Sequence, residues 1–283
     1  MCDKTETDPQ LRARAAAIRL IATDLDGTLL RQASELSPRT ARAVKMVRSF
    51  GISFTVCTGR SFYELGTLPQ RLALDIPVIC RNGAEIVDPA SQNTLFRRLI
   101  PAGESEAFIR YCLREEIDFC LTTQDEALFP QRSFFADFFG PTGRGDGHRP
   151  KLVLIDDRTS LDGLAHYKII LLKQQPKYDL ARAFAAGLPG IRIIGAAEDV
   201  DDLIARGANK GDGLRWVAEY LGLDRSECCA FGDYANDIPL LQYAGLSFAM
   251  ENAGEDVRAA ADHVAPSNTA DGVARVLEAL FGQ

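Results

Sequence analysis

Apolar and polar positions along this chain change period several times. Residues 18–23 form a short, nearly continuous apolar run, the pattern of a buried strand. Ser37-Pro38 then supplies an N-cap followed by proline at the first helical position. Behind it Ala41, Val44 and Val47 recur at helical spacing, and Gly51 closes the helix. Residues 52–57 predict a second strand, 63–74 a helix and 77–80 a third strand. Strand, helix, strand, helix, strand implies right-handed crossovers and a parallel sheet with helices on both faces.

The pattern changes over residues 88–187. Phe134, Phe135, Phe138 and Phe139 fall at i, i+4 spacing, which reads as the packing face of a helix, with a substrate-facing wall as the rival, and a glycine-rich polar stretch follows over 140–147. A strand is predicted over 167–172 and a helix around 178–186. The strand–helix alternation then resumes, with a helix over 210–221 ending at Gly222 and strands over 228–231 and 246–249. The expectation is a doubly wound α/β core of residues 1–87 and 188–283, interrupted by an inserted domain at 88–187.

Composition narrows the function classes. The chain has 283 residues, 46% hydrophobic and 25% charged, as in globular proteins. Its net charge of −7 argues against a nucleic-acid or membrane-surface partner. An anionic substrate would need local positive charge from a metal or a few placed Lys or Arg. No apolar run approaches the length of a membrane span. The first ten residues are polar and lack the apolar centre of a signal peptide, so a loose tail and a cytoplasmic location are expected. Seven cysteines without a C-x-x-C pair, with Cys57, Cys80, Cys228 and Cys229 in apolar runs, read as reduced core residues. Oligomeric state is not readable from these features.

Four polar signals fall where predicted strands end: Asp24-Leu25-Asp26-Gly27-Thr28, Thr58-Gly59-Arg60, Asn82-Gly83, and Gly232-Asp233-Tyr234-Ala235-Asn236-Asp237. Active sites of parallel α/β sheets gather at the carboxyl ends of strands. Each signal alone also suits an ordinary turn. Together they would place Asp24, Asp26, Asp233 and Asp237 in one crevice, where like charges need neutralising. A hard divalent cation does that, and Mg²⁺ suits carboxylate-plus-phosphate sites. Lys210, at the start of a helix, is placed to join the helix N-terminus in holding a phosphate.

With Lys210-Gly211 added, these motifs resemble the four motifs of the haloacid dehalogenase (HAD) superfamily. The closer resemblance is to its Cof-like branch of sugar and metabolite phosphatases. Asn82-Gly83-Ala84, Ala249-Met250-x-Asn252-Ala253 and Ser267-Asn268-x-x-x-Gly272-Val273-Ala274 share that resemblance. It covers roughly 18–87 and 200–280, and it implies that the insertion is an α/β cap. It implies a nucleophile at Asp24, forming an aspartyl-phosphate, and an acid/base at Asp26. Thr58, the Gly59 backbone, Lys210 and Asn236 would hold phosphoryl oxygens. Mg²⁺ would be bound by the Asp24 carboxylate, the Asp26 backbone carbonyl and Asp233, with Asp237 in support or acting through water. Arg60 and Asn82 are further candidates for substrate contact.

The expected activity is hydrolysis of a small phosphorylated metabolite, with a sugar phosphate as one candidate. The alternatives are a sugar phosphomutase, which also uses two aspartates, and a non-catalytic phospholigand-binding protein. Two departures from the branch stand out. Asp202 replaces a more usual Glu, with bracing of a loop as one reading. Arg81 stands where small or polar residues are commoner, and reads as a surface arginine or a substrate contact. His148, His166 and His263 match no motif. Arg132, Arg144 and Arg149 read as a solvated face, with contact to an anionic leaving group as the rival, and Trp216 reads as helix packing.

Overall fold

The computed structural model describes residues 9–31, 35–131, 133–135, 150–197 and 199–282. Phe138, Phe139, Arg132, Arg144, Arg149, His148 and the 140–147 stretch lie outside them. The strands, in chain order, are β1 (Leu20–Thr23), β2 (Ser53–Val56), β3 (Val78–Cys80), β4 (Glu85–Val87) and β5 (Thr94–Arg97). Next come β6 (Phe119–Thr122), β7 (Glu126–Pro130), β8 (Lys151–Ile155), β9 (Lys168–Leu172), β10 (Ile191–Ala197) and β11 (Val200–Ala205). The last three are β12 (Cys228–Gly232), β13 (Leu246–Met250) and β14 (His263–Ala265). The chain divides into two compact units, one of residues 1–60, 67–95 and 209–283, the other of 61–66 and 96–208.

The first unit is built on a parallel sheet of order β14-β13-β12-β1-β2. Its central strands are buried on both faces, which explains their continuous apolar runs. Phe231 of β12 stacks on Phe248 of β13 with ring centroids 5.1 Å apart. The Pro38–Ser49 helix forms as expected, and the Ser37 hydroxyl accepts the Thr40 N–H at 3.1 Å. Its buried face carries Thr40, Ala43, Val44 and Val47. Ala41 sits only at the edge of that face. Gly51, at φ +79°, takes the left-handed position that ends the helix.

Two expectations for this half are corrected. Residues 63–74 hold no continuous helix: a 3₁₀ turn at Phe62–Leu65 and one α turn at Leu68–Arg71 are separated by Gly66 at φ +54°. The third strand is not a full member of the parallel sheet. It meets β2 through a single parallel bridge, Cys57 to Ile79, and pairs antiparallel with β4 in a sheet of order β3-β4-β5. The cause is the turn at Arg81–Gly83, whose three residues have φ of +50°, +56° and +85° and fold the chain back on itself.

The second unit is a six-stranded sheet of order β10-β11-β9-β6-β7-β8, antiparallel except for β7 with β8. Strand alternation sorts its residues by face. Phe119, Leu121, Ile169, Leu171 and Leu203 pack with Phe108, Ile109 and Cys112 of the Ala102–Glu115 helix and Ala181 and Ala185 of the Tyr178–Ala186 helix. Cys120, Ala127, Phe129, Phe135 and Ile170 form a separate cluster. This unit is drawn differently from the expected 88–187 segment. Residues 191–205 supply two of its strands, so 188–208 go with it, and 88–95 go with the first unit.

The six cysteines among the described residues are buried and form no disulfide, as read from their apolar surroundings. Among the described residues, no helix is long and apolar enough to cross a membrane.

Candidate active site

Three loops of the first unit leave the carboxyl ends of the adjacent strands β12, β1 and β2. Asp24 follows β1 directly, and its N–H extends the ladder to the Phe231 carbonyl at 3.0 Å. The Cys57 N–H does the same to Thr23 at 2.8 Å, so Thr58 leaves the sheet beside Asp24. Gly232 ends β12 and releases the Asp233–Asp237 loop on the other side. The β1 loop needs glycine at position 27. Gly27 has φ +86°, and a Cβ there would lie 2.2 Å from an Asp233 carboxylate oxygen.

Lys210 ties these loops together. It opens the Lys210–Tyr220 helix, whose N-cap Asn209 accepts the Asp212 N–H at 2.8 Å. Its side chain is buried, and Nζ donates to Asp24 Oδ1 at 2.6 Å and to Asp237 Oδ1 at 2.5 Å. The second oxygen of Asp237 accepts the N–H groups of Asp233 and Tyr234, each at 3.0 Å. The Asp237 carboxylate is thereby committed to holding Lys210 and shaping its own loop. Asp233 points elsewhere: Oδ1 accepts the Thr28 hydroxyl at 2.7 Å and Oδ2 the Asn252 amide at 3.3 Å. The same Asn252 amide donates to the Gly27 carbonyl at 2.9 Å.

Asp26 is half-exposed and paired with Arg60, whose Nε lies 2.8 Å from Oδ2 while a terminal guanidinium nitrogen bonds Oδ1. Arg60 therefore contacts a carboxylate of the site itself. Thr58 is buried, and its hydroxyl oxygen accepts the Arg60 N–H at 3.1 Å. Asn236 donates to the Asn82 carboxamide oxygen at 2.9 Å, and the buried oxygen of Asn236 has no hydrogen-bond partner. Gly59 lies against the same side chain, because a Cβ on Gly59 would sit 3.2 Å from Asn82 Oδ1.

Oxygens of Asp24, Asp233 and Asp237 all lie within 4.8 Å of one another. One ammonium cannot balance three carboxylates. Burial pushes the Asp24 carboxyl well above its ordinary range; Lys210 opposes the rise, while Asp237, Asp233 and Asp26 add to it. Asp233 is raised to about 6, again chiefly by burial, with its bond from Thr28 working against the shift. Burial would lower Lys210, but the facing carboxylates of Asp237 and Asp24 outweigh it and hold the ammonium charged. Surplus negative charge on an oxygen-only donor set fits a hard divalent cation. With Asp237 committed to Lys210 and its own loop, Asp24 and Asp233 remain as the carboxylates that fit it.

The site thus joins Asp24, Lys210, Asp233 and Asp237 in one cluster. Arg60 and Asp26 form a second contact, and Thr58, Gly59, Asn82 and Asn236 a third. Sequence reading named Asn252 within a motif but gave it no role, and it missed Glu85. Glu85 binds Arg81, which is buried and so not a surface arginine. Only their i, i+4 spacing hinted at the pair.

The family model for haloacid dehalogenase-like hydrolases matches residues 21–277. A 5-amino-6-(5-phospho-D-ribitylamino)uracil phosphatase of Escherichia coli (strain K12) is 29% identical over 268 residues, covering 94% of this chain and 97% of its own. A pyridoxal phosphate phosphatase of the same strain is 28% identical over 270 residues, covering 92% and 97%. The fold matches a solved haloacid dehalogenase-like hydrolase from Bacteroides thetaiotaomicron with a TM-score of 0.79 at 24% identity, covering 93% of this chain and all of that one.

Proposed function

The chain belongs to the haloacid dehalogenase-like hydrolase family, and from that premise we propose that it is a Mg²⁺-dependent phosphatase of a small phosphorylated metabolite. The observation that carries the reading is the buried Lys210 ammonium bridging Asp24 and Asp237, with the Asp26 carboxylate two residues beyond Asp24. Relatives named as phosphatases of a phosphoribitylaminouracil and of pyridoxal phosphate support the reaction class.

In this reading an Asp24 oxygen attacks phosphorus. A new bond forms to the aspartate as the bond to the leaving oxygen breaks, and Asp26 gives that oxygen its proton. Asp26 then takes a proton from water, whose oxygen attacks the same phosphorus and frees Asp24. A carboxylate nucleophile splits one difficult step into two easier ones. Lys210, the Thr58 hydroxyl and the amide of Asn236 face the charge that spreads over the phosphoryl oxygens, and such placed donors supply most of the stabilisation in phosphoryl transfer. Asp24, Asp233 and the Asp26 backbone carbonyl would hold the metal. When bound, Mg²⁺ neutralises charge between the nucleophile and the phosphoryl group. Asp237 holds Lys210. Arg60 orients Asp26 and is the group that an anionic substrate would meet there. Choice of leaving group falls to the second unit, read as the cap.

The test is phosphate release across a panel that includes sugar phosphates, pyridoxal phosphate and the phosphoribitylaminouracil, with and without Mg²⁺. Release with Mg²⁺ that is lost in Asp24→Asn is expected. No release from any compound would overturn the phosphatase reading. Formation of an isomer without free phosphate would replace it with a mutase.

A further inference from the structure

Arg81, Asn82 and Gly83 are three consecutive residues in the left-handed region. Two of them carry side chains, and such residues keep this backbone only where their surroundings hold it. The turn touches three other parts of the site. Its backbone grips the β2 loop: Arg81 N–H donates to the Arg60 carbonyl at 2.8 Å and Asn82 N–H to the Thr58 carbonyl at 2.9 Å. The Asn82 side chain accepts from Asn236 and covers Gly59. Gly83 passes so close to the cap of the Lys210 helix that a Cβ would lie 2.1 Å from the Asn209 carbonyl oxygen.

Beneath this turn lies an ion pair. Arg81 Nε donates to Glu85 Oε2 at 2.9 Å, with both side chains almost wholly buried. The other Glu85 oxygen accepts the Thr94 hydroxyl at 3.0 Å, so Glu85 is itself oriented from β5. A buried pair of this kind adds little net stability, since desolvation offsets the attraction. What it does supply is a fixed direction.

We infer that Arg81 and Glu85 are positioning residues for the phosphate site. They pin the left-handed turn so that Asn82 sets Asn236 and the Thr58–Arg60 loop in the arrangement that receives a phosphoryl group. The inference rests on the phosphatase reading and extends it to a pair that meets neither substrate nor metal.

The experiment compares wild type with Arg81→Lys, Glu85→Gln and the double variant Arg81→Met/Glu85→Leu, each alone and with Asn82→Ala. Inorganic phosphate binding is measured by calorimetry in Mg²⁺, turnover with p-nitrophenyl phosphate, and melting temperature separately. The double variant replaces the pair with apolar groups of similar size, which usually preserves folding. It is expected to melt near wild type yet bind phosphate about tenfold more weakly, the scale seen when a support behind ligating groups is lost. In the Asn82→Ala background the same change should cost less than it does alone, because part of the pair's action runs through that side chain and the rest through the turn's backbone bonds to the Thr58–Arg60 loop. Arg81→Lys keeps the charge but not the guanidinium geometry, and serves if the double variant fails to fold: weaker phosphate binding at an unchanged melting temperature supports the assignment. Wild-type phosphate affinity in a folded variant, or losses that add fully to Asn82→Ala, would overturn it. If wild type binds phosphate but releases none from p-nitrophenyl phosphate or from any compound of the metabolite panel, the phosphatase reading fails while the binding arm still tests the pair.

Discussion

Asp24 and Asp237 both touch Lys210, yet neutralising them should have opposite effects on stability. Asp237→Asn puts an amide where a buried carboxylate bonds an ammonium at 2.5 Å and two backbone N–H groups at 3.0 Å. The amide oxygen can keep the backbone bonds, but its NH₂ then faces the ammonium donor to donor. Removing one member of a buried ion pair costs about 3–5 kcal/mol, and the lower end applies because Lys210 keeps Asp24. At about 2 °C per kcal/mol for a chain of this size, the melting temperature should fall by about 6 °C or more. Asp24→Asn removes a carboxyl that burial holds above its ordinary range. A carboxyl raised in the folded state loses stability as pH rises through its unfolded value, so at pH 7 the Asp24 carboxyl works against the fold. Its amide variant should melt at or above wild type while turnover is abolished. Calorimetric melts at pH 7 in chelator, with phosphate release measured in Mg²⁺, decide the matter. If Asp237→Asn melts with wild type and Asp24→Asn falls, the division of labour around Lys210 is wrong.

Other outcomes follow from the same geometry. Gly27→Ala should lose about 1–2 kcal/mol from the left-handed backbone, and it should also weaken Mg²⁺ stabilisation in a thermal shift assay, because its Cβ would lie 2.2 Å from Asp233. Chelation of divalent cations should stop phosphate release and added Mg²⁺ restore it; activity that persists in chelator would exclude the metal. His166 is buried against Ser105, and burial lowers its pKa below 6.5. The unfolded chain therefore takes up that proton first, so the contribution of His166 is complete above pH 6.5 and is lost as pH falls below it. Urea midpoints at pH 7.5 and 5.5 should show a smaller acid loss in His166→Gln than in wild type, and equal losses would refute this.

The site was legible because its chemistry sits in short local runs at strand ends. Asp24, Thr58 and Asp233 leave β1, β2 and β12, whose apolar runs mark where each strand stops. A lysine opening a helix carries no signal of its own, and only the motifs around Lys210 give it a site. What escaped depends on contacts distant in the chain. The pairing of β11 with β9 decides that residues 200–205 belong with the second unit, and periodicity cannot report a strand's partner. The backward turn of β3 into β4 depends on non-glycine residues at positive φ, which propensity disfavours. Glu85 sits in an apolar strand where its charge has no local explanation; its partner lies across the left-handed turn. The helix expected over 63–74 failed at Gly66, a residue visible in the sequence but outweighed by the apolar spacing on either side.

The sheet order also sets a timetable for synthesis. β1 sits between β2, which follows it closely, and β12, which is made much later. Asp24 and Lys210 are 186 residues apart in the chain. At about 5–20 residues per second, the ribosome delivers the lysine about 10–40 s after the aspartate. Through that interval one side of β1 has no strand to pair with, and Asp24 has neither the ammonium nor the Asp233–Asp237 loop. A nascent chain arrested before residue 210 would therefore carry Asp24 at an open sheet edge, without its partners and exposed to mispairing. The strand that covers that edge and the loop that completes the acidic cluster arrive together, with β12.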